Sequence, residues 1–263
     1  MTEELAPMKE QVYRDPRPKE YFDRFHERAR TREPDYIYHL VRMLVTPLMF
    51  ILYRGRCISS DRVPIRGPVI LAPNHFSFMD HFLIGVFLRR QIRFMAKSQL
   101  FKRPMQFIFS HGGVFPVRRG ARDEEAFISA DKILERGGLI AMYCEGGRSR
   151  SGHLGERGAR PGIGRLALES GAPVIPVAIH GSSRIRNWKR LQFPKVTVHY
   201  GEALQWERVE SPTREQQQAV ADEILEQIKR LYAGLERLGR REMVQRVRRE
   251  RRAQRRTRRA ATA

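Results

Sequence analysis

Residues 68–90 read PVILAPNHFSFMDHFLIGVFLRR. Val69, Ile70 and Leu71 make a short continuous apolar run, the pattern of a strand buried on both faces, and Pro73 with Asn74 ends it. The run HFLIGVFLRR that follows Asp80 is apolar at helical length, and a carboxylate in a first helical turn is favoured by the helix dipole. A strand, a turn and a helix therefore follow in direct succession. His75 falls in the turn and Asp80 at the helix start, so the turn can bring an imidazole and a carboxylate together.

The same alternation continues along the chain. Strands are predicted at 69–71, 93–96, 114–117, 139–144, 174–179 and 196–200, with helices at 80–90, 99–110, 124–136 and 163–170. This order predicts an α/β fold: a mostly parallel or mixed sheet covered by helices on both faces, with its chemistry on loops at strand ends. Beyond Tyr200, Ser211 and Pro212 announce a further helix. Val220, Ile224, Ile228, Leu231, Leu235 and Leu238 recur along it at steps of three and four, giving an apolar stripe for docking.

Composition bounds the partners. A chain of 263 residues, 41% hydrophobic, can bury one sizeable core. Lys and Arg total 50 against 29 for Asp and Glu, a net charge of +21. That excess suits a polyanion: nucleic acid, an anionic membrane surface or a phosphorylated substrate. Two cysteines, Cys57 and Cys144, and an N-terminus without an apolar signal core point to a reducing, cytoplasmic compartment.

Three regions are expected. Residues 1–57 read as a charged arm followed by an amphipathic, membrane-interfacial helix over 36–53, residues 58–238 as the folded domain, and residues 239–263 as a basic, disordered tail. The segment YIYHLVRMLVTPLMFILY at 36–53 contains His39, Arg42 and Pro47, so it falls short of the roughly 20 mostly apolar residues of a spanning helix. Tyrosines at both ends, with Arg54 and Arg56 beyond, suit a helix lying in the membrane interface. A buried core helix is the alternative.

Three stretches carry chemistry. A neutral imidazole near pH 7 accepts a proton from a hydroxyl, and a carboxylate on its other nitrogen fixes the tautomer and stabilises the imidazolium. His75 and Asp80 supply that pair. The chain shows no G-x-S-x-G elbow, and the short tether of Ser77 to His75 suits turn hydrogen bonding better than attack, which leaves a substrate hydroxyl as a candidate attacking group. MYCEGGRSRSG, residues 142–152, follows an apolar strand and turns at Glu145, Gly146 and Gly147, where glycines admit an anion to backbone N–H groups and arginines add charge. This loop lacks the lysine of a P-loop. GGVFPVRR, residues 112–119, ends in two arginines suited to phosphate. No histidine or cysteine spacing suggests a metal site.

In order and spacing, these stretches resemble the glycerolipid acyltransferase family with the motif N-H-x-x-x-x-D, and within it the bacterial 1-acyl-glycerol-3-phosphate acyltransferases. NHFSFMD matches its first motif, GVFPVRR resembles its second, EGGRSRSG its third, and VIPVAIHG the proline-bearing fourth. Tyr143, Cys144 and Gly147 depart from the third motif's usual F-P-E-G-T-R-S. The resemblance implies His75 as general base and Asp80 as its partner. It implies Arg119 on the acceptor phosphate, Glu145 and Gly146 shaping the acceptor site, Arg148 as a further phosphate contact and Pro176 positioning the fourth strand.

It implies a lysophosphatidic acid or related lysolipid as acceptor and acyl-CoA or acyl-carrier protein as donor, with no cofactor or metal. The expected location is peripheral or monotopic on the cytoplasmic face of the cell membrane, against its anionic surface, with no nucleic acid as partner. Glycerol 3-phosphate, another lysolipid or a lipid-linked sugar are alternative acceptors. A nucleic-acid-binding role for the arginine tail is the alternative of a different kind, without a recognised nucleic-acid fold signature to support it.

Overall fold

The computed structural model describes residues 15–118 and 123–262. Among these, seven strands form one sheet: β1 Arg56–Ile58, β2 Val69–Pro73, β3 Arg93–Lys97, β4 Val114–Val117, β5 Leu139–Ala141, β6 Val174–His180 and β7 Thr197–Tyr200, in the order β1-β7-β6-β2-β5-β3-β4. All neighbouring pairs are parallel except β6 and β7. β2 is central, with Ile70 opposite Val174 of β6 on one side and opposite Ile140 of β5 on the other. β1 was not anticipated, because three residues, the first of them an arginine, give no periodic signal. β5 ends at Ala141 rather than at the expected 144, where the chain leaves the sheet for the EGG turn.

The two-residue period of the strands divides the core. Ile70, Ala72, Ile140 and Val174 face α5 (Glu124–Glu135), α6 (Pro161–Ser170) and α7 (Arg214–Thr262), meeting Ala130, Ile133, Ile163, Ala167, Ile224 and Ile228. Val69, Leu71, Leu139, Ala141, Ile175 and Val177 face the opposite way, onto Leu83 and Ile84 of α3 (Asp80–Gly85) and Met49 of α2 (Tyr36–Ile51). α1 (Asp23–Thr31) and α4 (Met105–His111) complete the helical cover. The expected α/β architecture is present.

α2 is capped by Asp35, whose carboxylate accepts from the Ile37 N–H at 3.0 Å. Ile37 and Met49 are its buried residues, whereas Leu40, Met43, Leu44, Leu48, Phe50 and Ile51 are exposed. Among the described residues, no helix is long and apolar enough to cross a membrane.

Residues 239–262 differ from the expectation of a disordered tail. α7 breaks at Gly239, at φ 69° and ψ 172°, and resumes as helix. Beyond the break, Met243 and Val247 bury against Ile58, Ala178 and Leu235. Arg240 donates to the Val196 carbonyl at 2.6 Å, the Thr197 hydroxyl at 2.8 Å and the Arg54 carbonyl at 2.8 Å, and Arg251 pairs with Asp61 at 2.7 Å. Two apolar residues four apart on one helical face, together with these arginine contacts, dock a segment whose composition is otherwise dominated by arginine. The boundary expected at 57/58 also falls inside β1.

His199 on β7 is 4% exposed, and burial, reinforced by repulsion from Arg62, pushes its imidazole down from 6.5 to about 4. The unfolded chain therefore takes up this proton first. The stability arising from neutral His199 is complete above about pH 6.5 and is lost as the pH falls towards 4. Urea unfolding of the wild type should lose roughly 2 kcal/mol more than His199→Leu between pH 7 and pH 4.5. Equal pH slopes for the two proteins would remove this linkage.

Candidate active site at the end of the central strand

β2 delivers the chain to the carboxyl edge of the sheet, and Asn74 fixes where it turns. Its side-chain carbonyl accepts from the Ile179 N–H at 2.7 Å and its amide donates to the Ile179 carbonyl at 3.2 Å, so it adds a side-chain rung to β6. His75 follows directly. Its Nδ1 lies 2.9 Å from Asp80 Oδ2, which also accepts from the backbone N–H groups of Phe76 at 2.7 Å and Ser77 at 2.8 Å. Asp80 is fully buried and His75 is 7% exposed. With Nδ1 donating to the carboxylate, Nε2 becomes the basic nitrogen of the ring. The Ser77 hydroxyl accepts from the Met79 N–H at 3.2 Å, a turn contact as expected.

Aromatic rings hold the imidazole from two sides. Tyr143 stacks on His75 with centroids 3.8 Å apart, and His81 meets it edge-on at 5.3 Å. His81 Nδ1 lies 2.9 Å from the Phe78 carbonyl, which fixes that ring's tautomer. Although part of its side chain reaches the surface, burial of the ring, with His75 alongside, pushes His81 down to about 4. His81 is thus neutral at pH 7. Its outer side lines an apolar cavity of about 470 Å³, walled also by Tyr38, Phe78, Phe82, Met105 and Ile108. The cavity approaches the His75–Asp80 pair through His81.

Residues 54–180 match the Acyltransferase family. This stretch, just under half of the chain, is similar to that family. Its relatives include the chloroplastic 1-acyl-sn-glycerol-3-phosphate acyltransferase of Brassica napus, 28% identical over 123 residues, covering 45% of this chain and 34% of that one. The 1-acyl-sn-glycerol-3-phosphate acyltransferase of Borreliella burgdorferi is 27% identical over 128 residues, covering 48% and 50% of the two chains. A probable enzyme of the same name from Mycoplasma genitalium is 29% identical over 168 residues, covering 60% and 62%. The chain thus spans between a third and two thirds of the length of these curated relatives. The crystal structure of the 1-acyl-sn-glycerophosphate acyltransferase of Thermotoga maritima superimposes with a TM-score of 0.49 at 22% identity, covering 80% of this chain and 89% of that one.

Around the His75–Asp80 pair, the structure unites some of the expected residues and separates others. The EGG loop lies beside the base, since the Ser149 N–H donates to the His75 carbonyl at 3.0 Å. Glu145 is 1% exposed and accepts at Oε1 from the Gly155 N–H at 2.9 Å and the Arg157 N–H at 3.4 Å, so its carboxylate braces the loop at 155–157. Burial raises its pKa. Gly146 takes φ +65°, and a Cβ there would lie 3.1 Å from the Arg160 side chain, so the turn needs a glycine. Arg148 sits close enough to repel positive charge on His81 and Arg186. Pro176 does not join this cluster: it sits in β6 opposite Ala72 and lines a separate cleft with Gly201 and Leu231. Arg119 lies outside the described residues.

Four residues of the site were not singled out by sequence. Asn74, Tyr143 and His81 sit within or beside the recognised motifs, and only their partners across the fold show what they do. Arg186 lies outside all four motifs. It donates to the Phe76 carbonyl from Nε at 3.2 Å and to the Arg150 carbonyl at 2.6 Å, with a further bond to the Ser149 carbonyl, clamping the His75 turn to the EGG loop. An arginine among the many of this chain carries no local signal of such a role.

Proposed function

We propose that the protein transfers a fatty acyl group from acyl-CoA or acyl-carrier protein to the sn-2 hydroxyl of lysophosphatidic acid, giving phosphatidic acid. The observation that carries this reading is the 2.9 Å His75–Asp80 contact, beside an apolar cavity, in a stretch similar to the Acyltransferase family. His75 Nε2 takes the hydroxyl proton as the oxygen attacks the thioester carbonyl, and Asp80 stabilises the imidazolium that results. The tetrahedral intermediate collapses with cleavage of the C–S bond, and the departing thiolate takes the proton back from His75. The sequence needs no metal and no redox group.

The apolar cavity suits an acyl chain: its wall is mostly apolar, as at Tyr38, Phe82 and Ile108, and Arg42, its one formally charged lining residue, donates to the Leu88 carbonyl. In this reading Arg119 holds the acceptor phosphate, with Arg148 as a second cation near the base. The exposed apolar residues of α2, joined by Met105, Phe107 and Ile108 of α4, flank the cavity and suit a peripheral seat on the cytoplasmic face of a membrane. Both substrates carry apolar tails that partition into that phase.

The test is mass-spectrometric identification of products from purified protein, oleoyl-CoA and a panel of lysophosphatidic acid, glycerol 3-phosphate and lysophosphatidylglycerol. Phosphatidic acid should dominate, with free CoA released in equal amount. Exclusive acylation of another acceptor would keep the chemistry and overturn the substrate. Absence of any acylated product with active lipid presentation would overturn both.

A further inference from the structure

The fourth motif's Pro176 and the basic segment after Gly239, neither of which enters the proposed reaction, meet in one place. The two halves of α7 and strands β6 and β7 enclose a cleft of about 710 Å³. No residue of the His75 cluster lines it. On the first half of α7, Gln227, Arg230, Gly234 and Arg237 recur at steps of three and four, so they share the face that borders the cleft. The second half lies over them, with the Met243 methyl 2.8 Å from where a Cβ on Gly234 would stand.

The charges in this cleft are not balanced internally. Arg62 is paired with Glu202 and Arg246 with Glu250, which engages both carboxylates of the lining. Arg230 and Arg237 remain, and neither has an ionic or hydrogen-bonding partner among the described residues. At the floor lies His199, 4% exposed, and both of its ring nitrogens are buried without a hydrogen-bond partner. A buried imidazole with neither nitrogen satisfied is rare, since each orphaned group carries its desolvation cost unrelieved. A ligand offering several acceptor oxygens would take the N–H of neutral His199 and both arginines at once. Phosphate does this with three oxygens, and Leu231, Met243 and Val247 leave room for a carbon portion beside it.

We propose that the cleft between β6–β7 and the two halves of α7 is a second anion site, which takes a phosphate group through Arg230, Arg237 and His199. It is separate from the acceptor phosphate contact assigned to Arg119. The phosphate could arrive as a free phosphorylated compound or as a lipid headgroup, and the two sources are distinguishable.

The experiment is calorimetric titration of the full chain with inorganic phosphate at constant ionic strength, run beside binding to phosphatidylglycerol and phosphatidylcholine vesicles. The wild type should bind saturably, and Arg230→Gln/Arg237→Gln should weaken that binding by about tenfold or more. Arg119→Ala should retain it, as should Arg248→Gln/Arg249→Gln, which removes the same charge from an exposed part of α7 outside the cleft. The acceptor KM should be unchanged in the Arg230→Gln/Arg237→Gln protein, whatever the acceptor proves to be. Weakened inorganic phosphate binding identifies a free phosphate compound as ligand, and an effect confined to phosphatidylglycerol vesicles identifies a headgroup. Both support the site. No binding to either probe, undiminished binding by Arg230→Gln/Arg237→Gln, or an equal loss in Arg248→Gln/Arg249→Gln overturns it.

Discussion

His75→Ala should lower acyl transfer by roughly 10²- to 10⁴-fold, the range supplied by a positioned general base, and leave the far-ultraviolet circular dichroism unchanged. The side chain bonds to Asp80 and packs on Tyr143 and His81, whereas the turn around it is built by backbone groups donating to Asp80. Removing the imidazole therefore spares the turn. Asp80→Asn should preserve much of the same scaffold, because an amide oxygen can still accept from Phe76 and Ser77. Its NH₂ group can hold the imidazole in the wrong tautomer, and it cannot stabilise the cation, so a loss of roughly 10²-fold or more is expected. Near-normal turnover by folded His75→Ala protein would end the mechanism.

Gly164→Ala should destabilise the fold by about 3 kcal/mol or more, a cost at the upper end of those measured for overpacking. A Cβ at this position in α6 would fall 1.9 Å from the Gln217 carbonyl oxygen and 3.1 Å from the Ala221 nitrogen. Both are backbone atoms of α7, so no side chain can swing aside to admit the methyl group. The helix propensity gained by replacing glycine, about 1 kcal/mol, offsets only part of this. The check is the urea midpoint at constant slope. A midpoint equal to the wild type's would mean that α6 and α7 can separate at little cost, and the close approach would then carry no weight in the fold.

The two predictions rest on different kinds of information in the chain. The His75–Asp80 pair was legible because strand, turn and helix are consecutive, so the spacing alone brings the side chains into reach. The same is true of most strands: 114–117 has the expected bounds, and 69–73, 93–97, 174–180 and 197–200 differ from expectation by a residue or two. Boundaries failed where a local pattern was cut short by tertiary demand. The apolar run expected to end a strand at 144 leaves the sheet after Ala141, and Cys144 is buried against α7 instead. α4 begins at Met105 rather than near 99, because Pro104 and the short helical turn at Ser98–Leu100 interrupt the expected helix.

By itself the sequence determined the α/β alternation, the strand-turn-helix that carries His75 and Asp80, and the family to which the stretch 54–180 is similar. Each of these depends on residues near one another in the chain, where periodicity and turn chemistry act directly. Only the tertiary structure decided that Glu145 braces a loop, that Tyr143 and Arg186 hold the base and its turn, and that Pro176 faces a different cleft. It also decided that the arginine-rich segment docks. Most of those outcomes depend on which elements pack against each other across more than 30 residues of chain, as between Arg186 and Phe76 or Arg240 and Arg54, and the Glu145 contact, though nearer in sequence, depends on how the irregular loop at 155–157 folds back. A single charged side chain looks the same in sequence whether its partner is a carbonyl across the fold, a ligand or water, and packing alone selects among them.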